Sequence, residues 1–172
     1  MKPAAGEYSP YFDRYISRIE TDTVLPVLHE QLTTLKTLFH GLGEARAGFR
    51  YAPEKWSVRE VVGHLIDTER VFGFRALWIA RRADSPLPGF EQDDFVRAAA
   101  HDACGVDSLL AEFTSVREGH LHMLQHLPSA AWTRVGTAGG HPLSVRAAAF
   151  IMAGHVAHHI AEFHSRYGFA AT

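Results

Sequence analysis

Apolar residues recur at spacings of three and four through most of the chain, the period of helices buried on one face. From Asp22 or Thr23 to about His40 the pattern is carried by Val24, Leu25, Val27, Leu28, Leu32, Leu35 and Phe39. Pro26 falls in the first turn, where a missing N–H costs little, and Gly41 and Gly43 close the helix. A second helix is predicted from Val58 to about Arg82. Ser57 followed by Glu60 matches the capping box, in which each side chain satisfies the other residue's exposed amide. Val61, Leu65, Phe72 and Ile79 lie roughly on the side of His64, while Phe74, Leu77 and Trp78 cover much of the rest. A third helix runs from Asp107 or Ser108 to about His126 on Leu109, Leu110, Phe113, Val116, Leu121 and Leu124, and Pro128 marks its end. A fourth begins behind Ser144 and reaches about Tyr167, ahead of Gly168.

The connections differ in kind. Residues 1 to about 20 read as an extended lead-in with a short helix at Tyr11 to Ile19, and the stretch from Gly41 to Lys55 as a loop delivering the chain to Ser57. Asp84-Ser85-Pro86-Leu87-Pro88-Gly89 opens a long connection to about Asp107. Its acidic, aromatic segment Phe90 to Phe95 reads as a solvated crossover anchored by two phenylalanines, with a cover over a metal site as the rival reading. Trp132 to Gly140 reads as an irregular or short extended link. With no long strand alternation and no internal repeat, four long helices and a long second crossover predict an all-α four-helix bundle.

Composition narrows the function. At 172 residues, 47% apolar and 21% charged, residues 1–172 suffice for one globular domain with a full core. The formal net charge of -2 and the lack of a Lys/Arg block argue against a nucleic-acid partner. No apolar run approaches a membrane span, and the polar N-terminus has no signal-like apolar core, so a cytoplasmic protein is expected. Cys104, the single cysteine, reads as an incidental thiol.

Twelve histidines are the unusual count. His155 and His159 stand one turn apart on an otherwise apolar helix, so both can address one ion. His64, on the apolar second helix, is the best third ligand. Three imidazoles leave a coordination position open, the mark of a catalytic rather than a structural site. Imidazole does not choose among divalent metals, and zinc or nickel is the expectation. Glu162, one turn beyond His159 near the direction of His155, is a candidate fourth ligand, general base or partner for an imidazole N–H, and Asp67 is its counterpart on the second helix. Glu69 is less well aligned, and His158 points away. His29 and His40 read as solvated or capping, and His120, His122 and His126 as residues of a helix end. Gly63 and Gly73 cost about 1 kcal/mol each against alanine within a helix, so close packing or access to a site is their expected reason.

Tyr51-Ala52-Pro53-Glu54-Lys55-Trp56-Ser57, then Glu60 and His64-Leu65-Ile66-Asp67-Thr68-Glu69, and later Gly154-His155 with His159, resemble the DinB/YfiT-like superfamily. The resemblance implies an up-up-down-down bundle, often a homodimer, with a divalent ion on three histidines that carry over as His64, His155 and His159. It also implies a small-molecule substrate, with either hydrolysis or transfer of a low-molecular-weight thiol as the activity. A non-catalytic bundle that binds a metal or small molecule in stress response is the alternative.

Overall fold

The computed structural model describes residues 1–82 and 85–170, so Asp84, where the long crossover was predicted to open, lies outside the described residues. Four long helices dominate: α2 (Val24–Leu38), α4 (Val58–Ala80), α6 (Val106–Gln125) and α7 (Val145–Ser165). The shorter α1 (Asp13–Ile16) follows a 3-10 turn at Pro10–Phe12, within the predicted lead-in helix. Two short helices were not foreseen, α3 (Glu44–Ala47) before α4 and α5 (Gln92–Ala99) inside the long crossover. The link at 132–140 leads into a hairpin of β1 (Val135–Ala138) and β2 (His141–Ser144), turned by Gly139 and Gly140 with φ of 59° and 79°.

The helix starts follow local chemistry. Ser57 and Glu60 form the full capping box at α4, and the Ser144 hydroxyl accepts from the Ala147 amide at the start of α7. Asp102 reinforces the first cap, accepting from the Ser57 hydroxyl and pairing with Arg50. α6 starts at Val106, just ahead of the expected Asp107 or Ser108, behind an uncapped Gly105. α4 ends at Ala80, and Arg82 beyond it has φ of 58°.

α2 and α4 each pack against both α6 and α7, so they occupy opposite corners of the bundle. Contacts along the helices fix their directions. Gln31 meets Ala153 and Phe39 meets Phe163, so α2 and α7 run parallel. Trp56 meets Tyr167 near one end, and Arg134, bonded to Val145, meets Ala80 near the other, so α4 and α7 are antiparallel. Ser57 meets Asp102, Glu69 meets Arg117 and the Gly73 backbone meets His120, so α4 and α6 are parallel. The four-helix bundle and its long second crossover are as expected. The order of directions is up, down, down, up rather than up-up-down-down, because the crossover returns the chain along the bundle and starts α6 beside the start of α4.

The core is aliphatic and aromatic with one ionic insertion. Arg117, with no exposed surface, donates to both oxygens of Glu69 at 2.7 and 2.8 Å, to Leu28 O at 3.1 Å and to Gln31 Oε1 at 3.0 Å. His120 Nδ1 lies 3.2 Å from the same Glu69. His120 therefore belongs inside α6, correcting its assignment to a helix end. Its ring fills the space a Cβ on Gly73 would need, as the His101 ring does at Gly63, so close packing accounts for both glycines.

Candidate metal centre

His64 on α4 and His155 and His159 on α7 meet at the contact of two antiparallel helices. The helical period puts His155 and His159 on one face, and the capped start of α4 sets the register that brings His64 opposite them. Nε2 of His155 lies 2.9 Å from Nε2 of His64 and 3.2 Å from Nε2 of His159. All three rings are buried. Two nitrogens bound to one tetrahedral ion at about 2.0–2.1 Å stand about 3.4 Å apart, close to these spacings.

Hydrogen bonds alone do not satisfy this arrangement. An imidazole nitrogen presents one in-plane site, either a proton or a lone pair. His155 Nε2 has a single proton or lone pair to share between two neighbours, so at most one of its two contacts is a well-directed hydrogen bond. A cation at the common point accepts all three lone pairs. Burial holds the His64 and His155 rings neutral, the form that binds metal. It is the leading cause that pushes His64 down to about 3 and His155 well below the ordinary histidine value, with neighbouring imidazoles adding to both.

Behind this cluster, Glu162 Oε2 is 3.0 Å from Nδ1 of His159, in ion-pair range though without hydrogen-bond alignment, and 3.6 Å from Nε2 of His158. The His159 ring is the first cause that holds the Glu162 carboxyl below its ordinary range. Glu162 thus faces the back of His159, away from the three converging nitrogens. Asp67 lies toward His101, Arg70 and Glu112, and burial raises its pKa; it is not among the groups that reach the histidine cluster. His158 makes a second grouping with His159 and Glu162 and does not join the three.

The N-terminal segment completes the site, a role the sequence reading missed. Tyr15 packs edge-on to His155 at 5.2 Å and to His158 at 5.4 Å between ring centroids. Its backbone crosses α7 at Gly154, where an added Cβ would lie closer than 3.0 Å to the Tyr15 carbonyl. On the other side the Trp56 ring stands 4.8 Å from His64.

A pocket of about 470 Å³ opens onto His64 and His155. Its walls include Tyr15, Thr68, Phe72 and Arg75, with the hairpin residues Ala138, Gly139, His141, Pro142 and Leu143 among the rest. Phe90, Glu91, Gln92 and Asp93 also line it. The crossover segment is solvent-exposed from Glu91 to Phe95 and anchored by the edge-on Phe90 and Phe95 rings, as read, and its first residues, with the start of α5, also border the pocket.

Comparisons place these features among known proteins. The family model described as the DinB superfamily matches residues 28–163. Among solved structures, YfiT from Bacillus subtilis, described as a probable metal-dependent hydrolase with an unusual four-helix bundle topology, is similar with a TM-score of 0.77. The identity is 19%, over 96% of this chain and 97% of that chain, a likeness of fold. No curated protein matches the chain. No described helix is long and apolar enough to cross a membrane.

Proposed function

The chain belongs to the DinB superfamily, and from that premise we propose that it is a metal-dependent enzyme holding one divalent ion, zinc or nickel, on Nε2 of His64, His155 and His159. The observation that carries this reading is the meeting of three buried Nε2 atoms beside a pocket. When bound, a divalent ion supplies Lewis acidity that brings the proton of a water or thiol into the neutral pH range.

The protein's own residues divide the remaining work. Packing by Tyr15 on His155 and by Trp56 on His64 fixes those two rings, and burial keeps them unprotonated. Glu162 is a positioning residue, favouring the His159 tautomer that carries its proton on Nδ1 and leaves Nε2 free. The pocket admits a small substrate and excludes bulk water from its inner end. Its access to His64 and His155 favours an enzyme over a non-catalytic metal-binding bundle.

The reaction is attack on a small electrophilic substrate, by water in hydrolysis or by a low-molecular-weight thiol in S-transfer. Among the described residues Glu162 and Asp67 both face away from the pocket side of the histidines. The carboxylates that do line the pocket, Glu91 and Asp93, are solvent-exposed, and a thiol, with an unperturbed pKa of about 8.5, needs less help from a base than water does.

Elemental mass spectrometry of untagged protein tests the site. About one divalent ion per chain is expected by the coordination argument, absent from His64→Ala and His159→Ala. A wild-type protein that carries no metal and takes none up on titration overturns the proposal. Turnover of activated esters and alkylating electrophiles, with and without added thiols, then separates hydrolysis from transfer.

A further inference from the structure

The fold contains two buried arginines that are treated in opposite ways. Arg117 is neutralised by both oxygens of Glu69 and capped by Leu28 O and Gln31. Arg75, six residues further along α4 than Glu69, is only 6% exposed, yet among the described residues no carboxylate pairs with it. Its Nη2 donates to Pro88 O at 2.8 Å, and its guanidinium carbon stands 4.9 Å from the Phe72 ring and 6.0 Å from the Phe90 ring. One carbonyl and two aromatic faces hold the group in place without cancelling its charge, and a buried charge left unpaired is costly. Arg75 lines the same pocket as His64 and His155.

We propose that Arg75 is a substrate-binding residue, receiving an oxyanion group, carboxylate or phosphate, of a molecule whose reacting end lies at the three histidines. The proposal rests on the reading of this pocket as the substrate site. Its geometry bounds the ligand. His64, Thr68, Phe72 and Arg75 follow one another along one face of α4, and eleven residues of helix separate the first and last Cα by about 16 Å. His64 and Arg75 lean the same way along the helix, so this rise sets the scale of the ligand. The ligand is therefore a molecule long enough to reach along that face, anionic at one end and electrophilic at the other, with an apolar middle against Phe72. Thr68 stands between the ends, and its buried Oγ1 has no hydrogen-bond partner among the described residues, so it is free to bond the ligand. Glu91 and Asp93, also in the pocket wall, are solvent-exposed, where salt screens their repulsion of an incoming anion.

Calorimetric titration with three probes tests this: phenylacetate, its neutral isostere phenylacetamide, and phenyl phosphate. They are titrated into the full chain as purified and into its Arg75→Met, Arg75→Lys and His64→Ala variants, each checked for native helicity and metal content. The wild type is expected to bind one of the anions at least about tenfold more tightly than the amide, the value of a charge-assisted hydrogen bond in a desolvated site. Arg75→Met should abolish that preference, Arg75→Lys should keep part of it, and His64→Ala should keep it whole. Which anion leads assigns carboxylate or phosphate. Equal binding of anion and amide, no saturable anion binding at millimolar concentration, or a preference that survives Arg75→Met overturns the proposal. A preference lost in His64→Ala but kept in Arg75→Met places the anion on the metal, overturning the Arg75 role while leaving the metal reading intact. The reverse result in a wild type that binds no metal upholds Arg75 and sinks the metal reading.

Discussion

Replacing Gly154 by alanine sets two effects of known size against each other. Within a helix the exchange alone gains about 1 kcal/mol. At Gly154, however, the new Cβ would lie closer than 3.0 Å to the Tyr15 carbonyl carbon and oxygen and 3.0 Å from its Cα, whereas ordinary contact begins near 3.4 Å. The obstacle is backbone, so the α1 segment must retreat bodily. Overpacking of this kind costs about 1–3 kcal/mol. A segment that peels away exposes the buried Tyr15, Ile16 and Ile19, each carrying about 1.5–3 kcal/mol of burial, an upper bound well above the propensity gain. A net loss of about 2 kcal/mol or more is expected. Gly119 is the internal control: it sits on exposed helix with nothing within 4 Å of its virtual Cβ, so Gly119→Ala should gain up to about 1 kcal/mol. Urea unfolding of metal-free protein reads both. A Gly154→Ala midpoint at or above wild type, or the two variants moving in the same direction, refutes the reasoning.

Three further outcomes are expected. Glu69→Ala strands the Arg117 charge in the core and should cost about 3–5 kcal/mol in urea unfolding, most of it recovered when both residues become methionine. Glu162→Gln keeps the shape behind His159 but removes the charge; metal affinity, measured by competition with a chromophoric chelator, should fall about 10–100-fold. Burial holds His64 at about 3 against an ordinary 6.5, so the unfolded chain binds a proton that the folded chain refuses between those values. Metal-free protein should therefore lose stability as pH falls from 6.5, by about 1.4 kcal/mol per pH unit for each such histidine, and gain none above 6.5. Denaturant titrations between pH 6.5 and 5 read this slope before the carboxylates of Glu7 and Glu162, both held low, begin to contribute. A flat profile there contradicts it.

Local rules made much of the molecule legible. Ser57 with Glu60, and Ser144, mark their helix starts because capping is chemistry within one turn. The pairing of His155 with His159 needs only the helical period, and His64 needs only an apolar helix of its own. What escaped depends on contacts distant in sequence. Glu91 to Asp93 are the solvent-facing polar chain that they look like, and they border the pocket only because the hairpin and α4 stand beside them. An expectation of helix directions was available from the resemblance alone, since periodicity carries no sign and the return path of a crossover follows from packing. One signal was overlooked: Arg117 sits at the four-residue spacing between Phe113 and Leu121, on the apolar stripe of its own helix. A charge on that stripe demands a buried partner, and Glu69 on α4 supplies it.

The two helices that hold the histidines are far apart along the chain: His64 and His155 are separated by 91 residues. In the unfolded chain, gathering both around one ion would require closing a loop of that length, an entropic cost of about 4–5 kcal/mol on a simple chain model. In the folded bundle that cost has already been met by packing. An ion on the proposed site would therefore discriminate between the native and unfolded chain by several powers of ten in affinity, and would act as a removable tether between the second long helix and the last. With that site filled, metal supply would become a term in the folding equilibrium, and a chelator would weaken the bundle much as a reductant weakens a disulfide-bonded domain.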